Sequence, residues 1–434
     1  MTLRDEARPT RRAPNRASRR ALVAGCVGNL IEWYDFALFG AFASVIAASF
    51  FPGQDPSAGL LATFTVFGVA FLARPAGALL FANWGDRRGR RRALAASILL
   101  MGLVTAGIGV LPGHDTIGWA ATFLLVLLRA GQGMAVGGET GGSVALVVEH
   151  APPDDRGLYG GWQWATLGLG LAAGISVAAF TTAVLPGPAL RAWGWRVPFL
   201  LALPLGLVGL YIRLRLEETP GFLAVQGRQA ASRTPLRETL RTARRQLVVG
   251  FGVVAAVTAS FNIFYVFLPS HLATSGRAPL SRALGAAVVG LLVGGAAAPV
   301  AGRISDRVGR RPVLLAGVVA LLVVTMPAFR LIQRGTVGAL VAGYAVMGLA
   351  LGVVALSAFL AELFPTRLRY SGLSLTFGLA SALFGGTAPA LATVLAGRTG
   401  SPSGAAWYAS AVTAVAVVCL LMAPETDHRT LDDR

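Results

Sequence analysis

Long apolar runs alternate with short polar segments along the whole chain. Each run has the length of about twenty residues that an α-helix needs to cross the hydrocarbon core of a bilayer. The pattern predicts an all-α membrane protein with twelve transmembrane helices. The predicted spans are 21–48, 59–82, 93–111, 118–148, 158–185, 197–214, 247–272, 283–301, 312–331, 337–363, 370–396 and 405–423.

A longer polar segment in the middle of the chain separates these helices into two sets of six. The arginines of the N-terminal tail and the charge of this segment place both in the cytoplasm, and an even number of spans then puts the C-terminus on the same side, so both termini are expected there. The predicted organisation is a cytoplasmic Arg-rich tail at 1–20, a six-helix bundle at 21–214, a cytoplasmic linker at 215–246, a second six-helix bundle at 247–423 and a cytoplasmic tail at 424–434.

Composition agrees with a membrane location, because 55% of the residues are hydrophobic, 13% are charged and the mean hydropathy is +0.64. The net charge of +18 comes from arginine alone, since the chain has no lysine. These arginines lie in short segments between apolar runs, so the charge indicates membrane topology and no nucleic-acid partner is expected. No metal-ligand spacing or nucleophile motif is found, so we expect neither an enzyme nor a cofactor.

One charged segment occurs twice, once in each half of the chain. The first copy reads GDRRGRRR at 85–92, and the second reads GRISDRVGRR at 302–311. Both contain the pattern Asp-Arg-x-Gly-Arg-Arg, in which glycine permits a sharp turn and arginine favours the cytoplasmic side. A phosphate-binding loop is not indicated, because no strand precedes either copy and the P-loop lysine is missing. The repeat predicts a duplicated membrane protein.

The repeated segment resembles the loop that joins helices 2 and 3, and again helices 8 and 9, in the major facilitator superfamily. Longer strings resemble the metabolite:proton symporter family, nearest its proline/glycine betaine branch: GNLIEWYDF at 28–36, RPAG at 74–77, QGMAVGGE at 132–139 and WGWRVPF at 193–199. The resemblance covers essentially the whole chain. It implies two pseudo-symmetric bundles with the substrate between them near the bilayer midplane.

The resemblance also implies a function for the repeated segment. In the superfamily, its Asp and Arg residues form charge contacts that hold one state of the carrier, which we call the conformational latch. Changes in the latch are expected to alter turnover more than substrate recognition. Its expected members are Asp86, Arg87, Arg90, Arg91, Asp306, Arg307, Arg310 and Arg311.

Three acidic residues within the spans are candidates for proton coupling. Glu32 and Asp35 lie three apart on one face of the first helix, and Glu139 lies on the fourth. An ionised side chain at the centre of a membrane helix costs roughly 2.5–3.5 kcal/mol, so it normally faces a cavity or a partner. The alternative is that one carboxylate neutralises Arg129 in a static salt bridge between helices.

Arg129 is also the candidate to bind a substrate carboxylate. The remaining expected substrate-binding residues are polar or aromatic: Gln132, Trp162, Gln163, Asn262 and Tyr265, with Trp164 as a further candidate. Tryptophans near a loop are equally typical of interfacial positions, and Asn262 with Tyr265 is equally typical of an ordinary interhelical hydrogen bond. Arg74 is expected to be structural, because it lies nearer the cytoplasmic third of its helix.

These features predict a secondary transporter of the plasma (inner) membrane that imports a small zwitterion of the proline or glycine betaine type by proton symport with alternating access. The alternative is a proton symporter of an organic acid such as 2-oxoglutarate, shikimate or citrate. A drug exporter and a non-transporting sensor are less favoured. The expected partners are the substrate, protons and lipid, with the proton gradient as driving force and a monomer as the functional unit.

Overall fold

The computed structural model describes residues 16–53, 56–215, 235–399 and 401–427, and within them every regular element is helical. Twelve helical spans are long and apolar enough to cross a membrane, as predicted. In the first half they are α1 Ser18–Ala41, α2 Leu61–Gly85, α3 Arg91–Val110, α4 Trp119–His150, α5 Pro153–Val184 and α6 Gly187–Leu214. In the second half they are α7 Arg244–Ala273, α8 Leu280–Val308, α9 Arg310–Ile332, α10 Val337–Leu363, α11 Thr366–Arg398 and α12 Ser403–Leu421.

Both charged segments form much tighter turns than the sequence predicted. The short helix Asn83–Arg88 is followed at once by the helix Arg90–Val110, so that Gly89 alone separates them. In the second half, Gly309 alone separates α8 from α9. The φ angles of Gly89 and Gly309 are 109° and 107°, which glycine adopts without strain. Arginine is a good helix former, so the helices continue through the charged residues up to each glycine.

Four spans contain a wider π-helical turn, a feature that is frequent at functional sites. These turns are Ala78–Ala82 in α2, Leu190–Gly194 in α6, Ile263–Phe267 in α7 and Ser381–Gly385 in α11. The turn in α7 carries Tyr265, and the turn in α11 carries Ser381. Both of these side chains lie near the middle of the molecule.

The segment between the two halves is partly helical. Within the predicted linker the structure has the helix Pro235–Thr242, and α7 begins at Arg244, a little before the predicted start of the second bundle. On this helix Glu238 forms an ion pair of 3.2 Å with Arg367 of α11. Residues 1–15, 216–234 and 428–434 lie outside the described residues, so the predicted domain boundaries there stay predictions.

The two halves meet where α5 packs along α8 and where α11 packs against α2 and α4. At the end of the molecule that carries the charged turns, Gly157 of α5 lies directly against Gly302 of α8. A Cβ atom on Gly157 would come within 2.3 Å of the Gly302 carbonyl oxygen. Only glycine permits such a close approach of two helix backbones, so this contact fixes the distance between the halves at that end.

Candidate functional site

A central cavity of about 1040 Å³ lies between the two halves. Spans α1, α2, α4 and α5 line it from one side, and α7, α8, α10 and α11 line it from the other. Much of the lining is apolar or glycine. The polar and aromatic residues of the lining that bear on function are Asn29, Trp33, Arg74, Gln163, Trp164, Thr258, Phe261, Asn262, Tyr265 and Ser381.

Aromatic rings form a continuous face across the cavity. Trp33 of α1 meets Phe261 of α7 edge-on, with ring centroids 5.9 Å apart. Phe261 stacks on Tyr265 at 5.0 Å, because residues four apart in a helix lie on one side. Tyr265 in turn contacts Tyr344 of α10 at 5.7 Å. These rings present π faces of the kind that attract organic cations.

Three of the predicted substrate-binding residues line this cavity: Gln163, Asn262 and Tyr265. The Gln163 side-chain oxygen accepts a hydrogen bond of 2.7 Å from Ser357 across the interface between the halves. Asn262 donates to the Thr258 carbonyl of its own helix at 2.9 Å. The Asn262 side-chain oxygen and the Tyr265 hydroxyl find no hydrogen-bond partner among the described residues. The alternative of an ordinary interhelical hydrogen bond is therefore not what the structure has at these two positions.

Trp162 does not belong to the cavity. Its side chain is 47% exposed on the outer face of the bundle, and Trp164 lines the cavity instead. Consecutive helical residues are about 100° apart, so positions 162 and 164 point to nearly opposite sides of α5. The prediction that Trp162 lines the substrate cavity is thus wrong, and Trp164, the further candidate, lines the central cavity.

A smaller cavity, which we call the carboxylate cavity, lies beside the central one within the first half. Its lining includes Glu32, Asp35, Arg74, Arg129 and Gln132. Arg129 and Gln132 were predicted to contact substrate, yet neither lines the central cavity. They lie on the part of α4 that faces α1 and α3, one layer behind the interface between the halves.

Hydrogen bonds connect Arg129 to Asp35 in a chain. Arg129 donates to the Gln132 side-chain oxygen at 2.6 Å, and the Gln132 nitrogen donates to the Thr105 hydroxyl at 2.7 Å. Thr105 donates to one Asp35 oxygen at 2.8 Å. No ion pair within 4.0 Å joins Arg129 to a carboxylate in the described part of the chain. The alternative of a static salt bridge to Arg129 is therefore not what the structure has, and a chain of hydrogen bonds connects Arg129 to Asp35 instead.

Glu32 has a different environment from Asp35. Its side chain is almost completely buried, at 3% exposure. Neither of its carboxylate oxygens is hydrogen-bonded by any residue that the structure describes. An ionised carboxylate in such a place loses its hydration without compensation, which is costly.

Glu139 is held in a static ion pair, as the alternative interpretation allowed, but with a partner that the sequence analysis did not consider. Both of its oxygens accept hydrogen bonds from Arg213 of α6, and one also accepts from Ser97 at 3.0 Å. Arg213 further donates to the Leu94 carbonyl at 2.7 Å. Because Arg213 lies one residue from the end of its helix, its sequence position suggests a cytoplasmic charge, and only the packing of α6 on α3 and α1 buries it.

Arg74 also lies elsewhere than expected. Its side chain is 6% exposed, and its guanidinium lies 4.3 Å from the ring centroid of Phe71. It is the single charged residue among those lining the central cavity, and it lines the carboxylate cavity as well. The sequence signal that could have found it is the string RPAG, in which an arginine lies well inside an apolar helix.

In the second half, the predicted latch residues form a network across the interface. The two Asp306 oxygens accept hydrogen bonds of 2.7 and 2.9 Å from the backbone N–H groups of Gly157 and Leu158, at the start of α5. Arg310 donates to Asp306 at 2.7 Å and to Glu362 at 3.1 Å. Together these contacts tie α8, α9 and α10 of the second half to α5 of the first.

The chain segment after α12 closes this network. Glu425 accepts backbone hydrogen bonds from Arg310 at 2.9 Å and Arg311 at 3.1 Å. Burial acts to raise the pKa of Glu425, but hydrogen bonds from four backbone N–H groups outweigh it and lower the pKa below its ordinary value. Arg311 also donates to the Leu421 carbonyl at 2.7 Å, whereas Arg307 is exposed.

In the first half, the side chains of Asp86 and Arg90 lie outside the described residues, while Arg87 is exposed and Arg91 half-buried. The latch role of all eight residues stays a prediction. Two further ion pairs join the halves at the same end: Arg369 of α11 with Glu149 of α4 at 2.5 Å, and Arg303 with Asp155.

The opposite end of the molecule also has a cavity between the halves. A second cavity of about 820 Å³ lies between the halves there and shares Phe261, Tyr265 and Leu291 with the central cavity. Its other lining residues include Gly40 of α1 and Leu284 of α8, both far from the charged turns. The central cavity therefore shares part of its lining with a cavity that lies further from the charged turns.

Comparison with known proteins supplies independent information. The Sugar (and other) transporter family model matches residues 21–246, and the Major Facilitator Superfamily model matches residues 257–434. The chain is 36% identical to the proline/betaine transporter of Escherichia coli (strain K12), over 95% of this chain and 85% of that protein. It is 36% identical to the ectoine/proline transporter of Corynebacterium glutamicum, over 96% of this chain and 86% of that protein.

Among solved structures, a proton:xylose symporter bound to 6-bromo-6-deoxy-D-glucose resembles the chain with a TM-score of 0.81. The alignment covers 97% of this chain and 99% of the symporter at 19% sequence identity. At that identity the likeness concerns the fold.

Proposed function

Because this chain belongs to the major facilitator superfamily and is a secondary transporter, we propose that it imports a small zwitterion of the proline or glycine betaine type together with a proton. Membership confirms the predicted resemblance, the twelve-helix fold and the location as a multi-pass protein of the inner membrane. The relatives are transporters of small molecules and not enzymes, also as predicted.

Glu32 is the strongest support for proton coupling. It is buried beside the central cavity, and no hydrogen bond from the described residues stabilises its ionised form. Such a carboxylate is stable when it holds a proton or when a positive charge comes close. Its protonation therefore depends on the charged groups that enter or leave the cavity. Asp35 is a second candidate, because Thr105 holds one of its oxygens and leaves the other unpaired. We assign Glu139 a structural role, since Arg213 already neutralises it.

The lining of the central cavity supports a zwitterionic substrate. The rings of Trp33, Trp164 and Phe261 suit a quaternary or secondary ammonium group, and the single guanidinium of Arg74 suits one carboxylate. A dicarboxylate would find no second cation among the lining residues. The names of the two relatives, which refer to proline, betaine and ectoine, point to the same class of compound.

The difference between the two ends supports a mechanism of alternating access. In this state the ion pairs around Asp306, Glu149 and Asp155 close the end with the charged turns. If that end is cytoplasmic, as the arginine distribution predicts, the state is one that receives substrate from outside. Release to the cytoplasm then requires these contacts to break and the α5–α8 contact to open.

The test is uptake by proteoliposomes that contain the purified protein. Labelled glycine betaine, proline, 2-oxoglutarate and shikimate are offered separately, each with and without an inward proton gradient. We expect accumulation of glycine betaine or proline that depends on the gradient and is abolished by a protonophore. Gradient-driven accumulation of 2-oxoglutarate or shikimate would instead select the organic-acid alternative, and equal uptake with and without the gradient would contradict symport.

A further inference from the structure

We propose that Arg74 binds the carboxylate of the substrate, and that the bound carboxylate takes over from Glu32 as the negative charge beside this guanidinium. The inference rests on the proposed function and assigns the carboxylate subsite within it. Arg129, the predicted carboxylate ligand, is thereby replaced.

Arg74 is buried and has no hydrogen-bond or ion-pair partner in the described part of the protein. No hydrogen bond or ion pair connects it to another described residue, and its Nε atom is buried without a partner. A buried guanidinium normally forms several charge-assisted hydrogen bonds. Arg74 instead has aromatic rings around it, with centroids at 4.3 Å for Phe71, 5.6 Å for Phe36 and 5.9 Å for Trp33. These contacts hold the guanidinium in place and leave its donors for a ligand.

The other buried arginines of the first half already have partners. Arg213 binds Glu139, Arg129 donates to Gln132 and to the Phe67 carbonyl, and Arg156 lies 3.9 Å from Glu362. None of these three lines the central cavity. A substrate carboxylate in that cavity therefore meets Arg74 first.

Arg74 lies between the two cavities. Only Arg74 and Val136 line both the central cavity and the carboxylate cavity. Glu32 lines the carboxylate cavity and does not line the central one. When the central cavity is empty, Arg74 offsets the charge of Glu32; when a carboxylate binds, two negative groups compete for one guanidinium. Uptake of one proton by Glu32 resolves this competition, so substrate and proton bind together.

Other charged groups surround Glu32 and contribute to the balance. Asp35, Glu139 and Arg213 interact with it electrostatically, and Arg129 interacts with Asp35. Arg213 and Glu139 neutralise each other in their ion pair. Asp35 and Arg129 have opposite charges within one hydrogen-bonded chain. Arg74 is therefore the charge around Glu32 that a ligand can most directly alter.

The experiment compares two probes and two variants by calorimetric titration of the purified full-length protein. Glycine betaine carries a quaternary ammonium and a carboxylate, while choline carries the ammonium without the carboxylate. Arg74→Met keeps the packing against Phe71 but removes the charge, and Arg74→Lys keeps the charge. We expect Arg74→Met to weaken glycine betaine binding by roughly tenfold to a hundredfold, the range of a lost charge-assisted hydrogen bond, and to leave choline binding unchanged. Arg74→Lys should retain most of the betaine affinity.

A second readout follows the proton. In weakly buffered solution with a pH indicator, addition of glycine betaine to the wild type should take up one proton per bound molecule. Glu32→Gln and Arg74→Met should abolish this uptake, and choline should not cause it in any form. Because this signal depends on coupling, a role of Arg74 in packing alone would not remove it from a folded variant.

The outcomes separate the inference from the proposed function. If the wild type neither binds nor transports glycine betaine or proline, the proposed function fails. If the wild type binds betaine and Arg74→Met binds it equally well, or with the proton uptake intact, only the role of Arg74 is overturned. Equal loss of betaine and choline binding in Arg74→Met would also overturn it, because that result indicates structural damage.

Discussion

Two pairs of oppositely charged side chains are buried in the first half, and they differ in hydrogen bonding. In the Glu139–Arg213 pair, both carboxylate oxygens accept hydrogen bonds from the guanidinium, and Ser97 supplies a third. In the Glu32–Arg74 pair, the two groups interact electrostatically but share no hydrogen bond. In the first pair both carboxylate oxygens are hydrogen-bonded and only the Arg213 Nε atom has no partner, whereas in the second pair neither Glu32 oxygen is hydrogen-bonded.

The comparison shows that burial of a charge does not by itself identify a functional residue. All four side chains are less than a tenth exposed. What differs is whether neighbouring groups satisfy them, because a satisfied pair is fixed and an unsatisfied one can bind a proton or a ligand. This distinction leads to different expected effects of mutation in the two pairs.

The largest effect is expected from breaking the Glu139–Arg213 pair. Arg213→Met leaves Glu139 buried with only the Ser97 hydrogen bond, which should lower the free energy of unfolding by about 3–5 kcal/mol. Chemical denaturation of the purified protein in detergent measures this loss. The double variant Glu139→Leu/Arg213→Met removes both charges and should recover most of the stability. Equal destabilisation of the single and double variants would show that lost packing, and not an unpaired charge, is the cause.

Neutralising Glu32 should uncouple transport without unfolding the protein. An inward gradient of one pH unit provides about 1.4 kcal/mol, which supports accumulation of about tenfold with one proton per substrate. Glu32→Gln should abolish this accumulation but retain exchange of labelled for unlabelled glycine betaine across the membrane. The matched control is Glu238→Gln, on the linker helix near the surface, which should accumulate normally. If Glu32→Gln accumulated glycine betaine to the same extent as the wild type, another group would have to bind the coupled proton. Asp35 would then be the next candidate.

A smaller effect on substrate affinity is expected when Trp164 of α5 is replaced, and Trp162 of the same helix provides the control. Trp164→Ala removes an aromatic face of the central cavity and should weaken glycine betaine binding by about threefold to thirtyfold, corresponding to a cation–π contact of about 0.5–2 kcal/mol. Trp162→Ala, on the exposed side of the same helix, should leave the affinity unchanged. Titration calorimetry measures the glycine betaine affinity of both variants. A greater loss in Trp162→Ala would contradict the assignment of faces on this helix.

The smallest effect is expected in the latch. Asp306→Asn keeps one acceptor for the N–H groups of Gly157 and Leu158 but loses the charge beside Arg310, at a cost of about 1 kcal/mol. The maximal transport rate should change by about fivefold, with little change in the substrate concentration for half-maximal rate. Asp115→Asn, an exposed aspartate near the opposite end, is the control and should change neither quantity. Unaltered transport by Asp306→Asn would argue against the latch.

The sequence by itself determined the number of spans, their approximate limits and the repeated turn. Apolar runs of membrane length can hardly form anything except helices in a bilayer, because the backbone must satisfy its own hydrogen bonds there. Gly89 and Gly309 were recognisable as turn positions for a similarly local reason, namely their freedom to adopt positive φ. The shared helix face of Glu32 and Asp35 also follows from spacing alone, and both line the carboxylate cavity.

Only the tertiary structure decided which buried charged side chains pair with each other. Arg213 is close to Glu139 because α6 and α4 both pack on α1 and α3, and no pattern in the chain connects positions 139 and 213. The cavity faces of Arg74 and Trp164 depend on how α2 and α5 are rotated against the second half, whereas spacing gives only angles within one helix. Partners on other helices are set by packing over long separations in sequence, and that is why the span pattern was predictable and the pairing of its buried charges was not.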